Sequence, residues 1–256
     1  DLKQLPLAQC RVQAADPLSD GPSELLTASV CTGFTHEEAR TEAALTGIEA
    51  YAARMAEVIE NGRNLGVGVG GSFPEAVGRG LQKCLSEELN DRKLSEKESI
   101  YLVDLDPIED ERCAFYLKAL TTIQGSPRVG VGKEVHGFPV IWIGTKKGWY
   151  GSTGLNTTLT LRNALQNALS DFQNESAGDG ANVLKESEVH YLERDKQSLT
   201  IPECPERIQR ETLQAAFEVL KQNRTQVSVY ELSIEPILSQ QLEGVFGVSL
   251  REEGLR

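Results

Sequence analysis

The stretch Gly71-Ser-Phe-Pro-Glu-Ala76-Val-Gly-Arg-Gly80-Leu81 is decisive for the fold, because it joins a strand to a helix through glycines. The preceding residues 65–69 alternate apolar side chains with glycine and predict a short strand. The proline suits the first turn of a helix, which the apolar pattern extends to about residue 90. The alanine and the last glycine of the stretch are four residues apart, so they share one helix face and permit a close neighbour.

Two other segments have the same form, a glycine turn followed by a helix with small residues four positions apart. The predicted helices cover residues 35–60 and 157–172. Thr35 is a natural N-cap, Glu38 completes a capping box, and Asn61-Gly62 ends the first helix. The segments are Gly33-Phe-Thr-His-Glu-Glu-Ala39-Arg-Thr-Glu-Ala43 and Gly151-Ser-Thr-Gly-Leu-Asn-Thr-Thr-Leu-Thr160-Leu-Arg-Asn-Ala164. Together the three segments predict an internally repeated strand–helix unit.

The rest of the chain alternates strand and helix patterns, which predicts a mixed α/β (α+β) fold. Strands are predicted over residues 100–105, 129–131, 139–143 and 227–234, and further helices over residues 108–120 and 205–223. The charged run 90–98 is predicted as a solvated link, residues 148–154 and 174–180 as loops, and the acidic end of the chain as frayed.

The composition excludes several classes of function. The net charge of -12 and the lack of any basic run longer than Lys146-Lys147 argue against a nucleic-acid partner. No stretch approaches the roughly 20 apolar residues of a membrane span, so no membrane association is expected. A length of 256 residues, 39% of them hydrophobic, suits one large domain or two small ones, and we expect a single domain over residues 1–256. Because it opens at Asp1 rather than Met, we expect it to be a piece of a longer protein.

The cysteines point to a reducing compartment. Five cysteines are scattered along the chain without a C-x-x-C pair, a pattern that fits the cytoplasm better than a disulfide framework. Three isolated histidines add no zinc-binding spacing, so no metal site is predicted from them. The cysteines are Cys10, Cys31, Cys84, Cys113 and Cys204.

The three helices with their glycine lead-ins, in this order, resemble the YcaO superfamily. The segment Asp16-Pro-Leu-Ser-Asp-Gly before the first helix is similar to the opening segment of that family. The resemblance covers residues 5–172 and is weaker over residues 173–256. It implies a fold in which three similar helices surround a central site. It also implies ATP-dependent chemistry, in which an amide oxygen is phosphorylated after attack by Cys, Ser or Thr and an azoline results.

A narrower resemblance concerns the first repeat. Pro17-Leu-Ser-Asp-Gly-Pro-Ser-Glu-Leu-Leu and Cys31-Thr-Gly-Phe-Thr-His-Glu-Glu-Ala-Arg resemble the large maturation proteins of thiazole-containing bacteriocin operons. Those are the ThiF-like partner proteins of azole synthesis. The resemblance implies two partners, a precursor peptide and a separate YcaO cyclodehydratase to which the peptide is delivered. Related folds often share a self-complementary surface, so a homodimer is also open.

The resemblance allows the magnesium-ATP site to be checked residue by residue. In the family each repeat helix offers two acidic or polar ligands three residues apart, which places both on one helix face. The matching positions are Thr46 and Glu49, Lys83 and Ser86, and Asn167 and Ser170. Magnesium requires oxygen ligands, and of the carboxylates only Glu49 remains. We therefore expect no bound cofactor, with Glu49 as the one cofactor-binding position left in a degenerate site.

At the same site, other residues also differ from the family pattern, and a different alignment would select other carboxylates. The lysine of the family's Gly-Lys-Gly lead-in is absent from Cys31-Thr32-Gly33-Phe34, and Phe172 stands where an arginine is usual. An alignment shifted by one residue would offer Glu42, Glu87 and Glu88 instead. Glu49 itself can also be explained as a solvated or capping helix carboxylate.

Three functions therefore stay open. The first is a non-catalytic YcaO-like domain that assists a cyclodehydratase in bacteriocin maturation. The second is an active ATP-dependent cyclodehydratase or amide-backbone kinase, and the third is a structural oligomerisation domain. The aromatic segment 142–150 fits either peptide presentation or core packing.

Overall fold

The structure is a computed structural model of the chain, and it describes residues 2–20, 24–59, 65–95, 97–174, 183–192, 197–232 and 242–252. The chain forms two compact units. The first unit comprises Asp1–Cys84 and Arg207–Arg256, and the second comprises Leu85–Glu206. The assignment of residues 1–256 to a single domain stays a prediction.

Five helices and twelve strands are described, which confirms the mixed α/β class. The helices are α1 (His36–Ile59), α2 (Phe73–Ser95), α3 (Glu111–Gln124), α4 (Thr157–Gln173) and α5 (Arg210–Gln222). The strands are β1 (Ala8–Val12), β2 (Ser29–Gly33), β3 (Gly66–Gly70), β4 (Glu98–Leu105), β5 (Arg128–Val131), β6 (Val140–Gly144), β7 (Trp149–Thr153), β8 (Val183–Leu184), β9 (Val189–Tyr191), β10 (Gln197–Leu199), β11 (Thr225–Glu231) and β12 (Gly244–Glu252). Among these helices none is both long and apolar enough to cross a membrane.

The first unit contains two antiparallel sheets that contact α1. Strands β1 and β2 pair with each other, and β11, β12 and β3 form a sheet in that order. Helix α1 packs on β1, β2 and β3. Its buried residues Leu45, Ala52 and Ala56 join a core cluster with side chains of β3 and β12. This apolar burial is what fixes α1 against the three-stranded sheet.

Strand β3 approaches α2 so closely that only glycine fits between them. A Cβ atom on Gly68 would lie 2.0 Å from the carbonyl oxygen of Ala76 and 2.3 Å from the nitrogen of Gly80. A Cβ atom on Gly66 would lie 2.2 Å from the carbonyl oxygen of Gly80. The small residues of α2 therefore permit the close approach predicted for them, and the neighbour that they meet is a strand.

The second unit is built on one sheet with the order β10-β4-β5-β6-β7-β8, in which β9 also pairs with β4. Helix α4 packs on β6 and β7 and against α3. Trp142 and Trp149 are both fully buried, each lying over the glycine directly opposite on the neighbouring strand, Gly151 and Gly144. Core packing, rather than peptide presentation, is thus the role of these two tryptophans.

Several predicted boundaries were wrong. Residues 148–154, predicted as a loop, contain β7, because the buried aromatic side chains there form a hairpin with β6. The charged run 90–98 is not a link, since α2 continues to Ser95 and β4 begins at Glu98. Charged residues are good helix formers, and Arg92 in the last turn pairs with Glu98 at 2.8 Å.

The later part of the chain required similar corrections. Helix α3 begins three residues later than predicted because the Asp110 side chain caps it, and α5 begins only at Arg210. The end of the chain is not frayed throughout, since β12 is the central strand of its sheet. The predictions for Asn61-Gly62, residues 175–180 and residues 233–234 lie outside the described residues.

Candidate functional site

Helices α1, α2 and α4 begin in the same way. A glycine stands at or directly after the end of a strand, a side-chain oxygen two residues later caps the helix, and a further residue packs beneath the glycine four positions beyond the cap. These three residues are Gly33, Thr35 and Ala39 for α1, Gly70, Ser72 and Ala76 for α2, and Gly154, Asn156 and Thr160 for α4.

The distances at the three junctions agree closely. A Cβ atom on the glycine would lie 2.5 Å from the backbone nitrogen of Ala39, 2.8 Å from that of Ala76 and 3.2 Å from that of Thr160. The capping oxygens accept from backbone nitrogens at 3.2 Å in α1, 3.4 Å in α2 and 2.8 Å in α4. The shared geometry gives the three helices a common register.

This register relates the predicted site positions to one another. The seventh and tenth residues after Ala39 are Thr46 and Glu49, those after Ala76 are Lys83 and Ser86, and those after Thr160 are Asn167 and Ser170. The three pairs thus occupy equivalent positions in their helices. That the three helices surround one centre stays a prediction.

The six positions differ in exposure. Glu49 is only 1% exposed. Lys83 lies beside it in the first unit, and Thr46 of the same unit is half-buried. In the second unit Ser86 and Ser170 are half-buried and Asn167 is exposed. The structure therefore brings Glu49 and Lys83 together within one unit.

The Glu49 carboxylate is held by two basic side chains and one backbone amide. Its Oε1 accepts from Arg79 Nε at 2.7 Å and from the backbone nitrogen of Val69 at 3.2 Å. Its Oε2 accepts from Arg79 Nη2 at 3.2 Å and lies 2.7 Å from Lys83 Nζ. A carboxylate has about four lone-pair sites, so these contacts saturate it. Glu49 is therefore neither solvated nor a helix cap.

Arg79 extends this ion cluster to a second carboxylate. Its Nη1 and Nη2 each donate to Glu42 at 2.8 Å, a bidentate arrangement. Burial opposes the charge on Arg79, but its hydrogen bonds to Glu42 and the Glu49 charge raise its pKa above the usual range. Burial likewise opposes the charge on Glu49, yet Arg79 and then Lys83 hold its pKa below the ordinary value. The cluster pairs two basic side chains with two carboxylates, so its formal charges sum to zero.

Arg79 was not predicted as a site residue, although its sequence position offered a signal. Arg79 and Lys83 are four residues apart and so share one face of α2, while Glu42 and Glu49 are two turns apart on α1. Two cations on one helix and two carboxylates on another make an inter-helix ion cluster a reasonable expectation. Which helices would meet is a tertiary question that the spacing alone leaves undecided.

The residues at these positions do not fit a magnesium-nucleotide complex. Magnesium binds oxygen ligands, and the one carboxylate among these positions already accepts hydrogen bonds from Arg79 and the backbone of Val69 and pairs with Lys83. An ammonium group 2.7 Å from Glu49 places positive charge where a divalent cation would have to approach. Within the described ranges no cluster of three or more His, Cys, Asp or Glu is arranged to hold a metal ion.

The other positions at which the resemblance indicates a departure differ in their surroundings. Phe172, where an arginine is usual, has its ring 4.6 Å from Lys147 Nζ, and Lys147 pairs with Asp171 at 2.9 Å. Cys31, at the start of the altered lead-in, is buried under α1 beside Thr46, and burial raises the pKa of its thiol. Phe34, at the end of that lead-in, leaves 43% of its surface exposed.

Comparison with known proteins gives matches among solved structures. No protein-family model matches the sequence, and no curated protein is significantly similar to it. Among solved structures, the chain is similar to YcaO from Methanopyrus kandleri, bound with AMPPCP and Mg²⁺. The two share 15% identity at a TM-score of 0.53 over 89% of this chain and 78% of that one.

Two further solved structures are similar. A heterocyclase in complex with substrate and cofactor matches at 11% identity and a TM-score of 0.58, over 88% of this chain but only 44% of its own. The E. coli microcin synthetase McbBCD complex with pro-MccB17 bound matches at 13% identity and a TM-score of 0.39, over 94% and 63%. The first two likenesses establish that the fold is YcaO-like, and at these identities they establish the fold alone.

Proposed function

We propose that this chain is a YcaO-like domain that has lost magnesium-ATP binding and assists a separate cyclodehydratase in azole-peptide maturation. The likeness to solved YcaO structures supports the assignment as a YcaO-like domain. The resemblance of residues 17–26 and 31–40 to bacteriocin maturation proteins supports the role beside a separate cyclodehydratase. The proposed compartment is the cytoplasm, which suits a set of scattered free cysteines without a disulfide framework.

One observation carries the loss of ATP binding, namely the saturated Glu49 carboxylate. Phosphoryl transfer depends on metal ions that neutralise the charge of the phosphates. Here Arg79 and Lys83 supply two fixed positive charges instead, and Glu42 and Glu49 neutralise them. Releasing Glu49 for a metal would leave both cations short of a partner in a partly buried place, which is costly. The cluster therefore favours a fold that is complete without a nucleotide.

The remaining role is interaction. A domain that does not activate the amide itself contributes by holding the precursor peptide and docking onto the enzyme that does. A related fold can pair with an intact YcaO protein through a surface of the kind that homodimers use. The ion pairs of the Glu49 cluster are satisfied internally, so they leave no net charge to attract an ATP molecule.

A reconstitution experiment tests this function. The domain, the precursor peptide and the operon's separate cyclodehydratase are combined with magnesium-ATP, and loss of water from the peptide is followed by mass spectrometry. We expect no azoline from the domain and peptide alone. We expect faster azoline formation when the domain is added to the cyclodehydratase than when it is omitted. A domain without effect on that rate would favour a purely structural, oligomerising role.

The alternative of an active enzyme draws on one observation, the likeness to the M. kandleri YcaO structure that contains AMPPCP and Mg²⁺. The same experiment decides it. Azoline formation by the domain and peptide alone, dependent on ATP, would establish the active enzyme and overturn the proposal.

A further inference from the structure

Cys10 and Cys31 are direct partners in the ladder between β1 and β2. Residues directly opposite in an antiparallel ladder have Cα atoms about 4.5–5.5 Å apart. Disulfides occur at Cα separations of about 4.4–6.8 Å. The backbone geometry of this pair therefore lies inside the range that a disulfide bridge requires, although both cysteines are free thiols.

The two thiols also share one face of the two-stranded sheet. Side chains alternate along a strand, so Cys10 points the same way as Val12, whose Cγ2 lies 2.8 Å from the Cβ position of Gly47 in α1. Cys31 points to this face as well, since its thiol contacts Thr46 of α1. Both cysteines thus point toward α1.

The two cysteines differ in accessibility, which assigns them different roles. Cys10 is partly exposed, and its thiol has only a weak contact with a backbone oxygen at 3.9 Å. Cys31 is 8% exposed. An external disulfide can therefore reach Cys10, whereas Cys31 is accessible only to a sulfur already next to it. This is the usual arrangement of an attacking and a resolving cysteine.

We propose that Cys10 and Cys31 form a reversible disulfide by exchange with a low-molecular-weight disulfide such as oxidised glutathione. The Cys10 thiolate attacks one sulfur of glutathione disulfide, a mixed disulfide forms, and one glutathione thiolate leaves. The Cys31 thiolate then attacks the Cys10 sulfur and expels the second glutathione thiolate. The two protein thiols are oxidised, one glutathione disulfide is reduced to two thiols, and the two protons pass to those thiolates or to water.

The bridge would act on the helix that carries Glu49. Strands β1 and β2 both contact α1, so a covalent link between them closes the chain segment from residue 10 to residue 31 beneath that helix. Closing a loop of this size restricts the unfolded chain. We expect the oxidised domain to melt roughly 5 °C higher than the reduced one.

Mass spectrometry of the full chain tests the proposal. The protein is incubated with excess oxidised glutathione at mildly alkaline pH, free thiols are blocked, and cysteine peptides are mapped. We expect a product lighter by two hydrogens in which the peptides of Cys10 and Cys31 are linked, and reversal by a thiol reductant. Cys31→Ser should stop at a stable glutathione adduct on Cys10. Cys204→Ser, a matched control at another partly exposed cysteine, should react like the unaltered chain.

Three outcomes would overturn the proposal. One is a stable glutathione adduct on Cys10 in the unaltered chain, which would show that Cys31 cannot resolve it. Another is a link that involves Cys204, and the third is complete resistance of Cys10 to the reagent. Circular dichroism of each variant before oxidation establishes that the compared proteins are folded.

Discussion

The ammonium group of Lys83 lies 2.7 Å from Oε2 of Glu49, the one carboxylate among the six positions that the YcaO resemblance predicts as ligand positions. This contact joins a half-exposed side chain of α2 to a carboxylate on α1 that is 1% exposed. Together with Arg79 it provides the positive charge that a carboxylate in such a place needs. The ion pairs of the cluster thereby connect α1 and α2.

Glu49→Gln should destabilise the fold. The change keeps the shape but removes the negative charge that pairs with both Arg79 and Lys83, so we expect a loss of about 2 kcal/mol in the free energy of unfolding. Denaturant titration followed by circular dichroism measures this loss. Glu42→Gln is the matched control, because the Glu42 side chain is 40% exposed and its loss should cost less. Equal effects of the two changes would contradict the account of the cluster.

The close contact of β3 with α2 predicts a sharp difference between two glycines. Gly68→Ala would place a Cβ atom 2.0 Å from a backbone oxygen that cannot move independently, so we expect a loss of about 3 kcal/mol or failure to fold. Gly71→Ala should be tolerated, because its nearest neighbour would be a side-chain oxygen at 3.7 Å. Thermal melting of both variants decides the matter. A Gly68→Ala protein as stable as the Gly71→Ala protein would refute the backbone-to-backbone packing.

The loss of stability at acidic pH should depend on Glu186. Its carboxylate accepts hydrogen bonds from Arg128, Tyr191 and Trp149, and these lower its pKa from 4.5 to about 2, with the Arg128 contact as the largest cause. A depressed folded-state pKa contributes stability above pH 4.5 that is lost as the pH falls toward 2. We expect Glu186→Gln and Arg128→Met both to flatten the decline of stability in this window. The free energy of unfolding is measured by urea titration at several pH values. If it falls between pH 4.5 and 2 as steeply in the variants as in the unaltered chain, Glu186 does not contribute to this loss of stability.

Docking onto the cyclodehydratase should respond weakly to salt. The domain carries a net charge of -12, so its contact with a protein partner is expected to rest on apolar surface rather than on attraction to an anionic one. Apolar contacts are screened little by ions. A pull-down at low and high ionic strength measures this dependence. Complete release at high salt would contradict it, and no association at either salt concentration would remove the docking claim.

Local signals in the sequence predicted the helices well and the strands less well. The capping residues Thr35 and Glu38 predicted the start of α1, and both side chains accept hydrogen bonds there, Thr35 from the backbone nitrogen of Glu38 and Glu38 from that of Phe34. Strand β7 was missed because glycines in residues 148–154 indicate a loop, while the burial of Trp149 depends on a partner strand. Strand β12 was missed for a similar reason, since it pairs with β3, which is distant in sequence.

The candidate site, too, could be predicted only in part. Glu49 and Lys83 were predicted as site positions from the resemblance to the YcaO family, aligned on the small residues of the helices. Their direct contact and the part played by Arg79 depend on how α1 and α2 meet, which no local pattern encodes. A lysine at a ligand position indicated lost metal binding, but only the structure supplies the hydrogen bonds that occupy the carboxylate.

Isothermal titration of the full chain with magnesium-ATP tests the central claim most directly. The M. kandleri YcaO, titrated with magnesium-AMPPCP, provides the positive control, because its structure was solved with that nucleotide. We predict no saturable heat for this chain in the micromolar range, since Arg79 and Lys83 occupy the Glu49 carboxylate. Low-micromolar binding that Glu49→Gln abolishes and Glu42→Gln retains would contradict the account and restore Glu49 as a ligand.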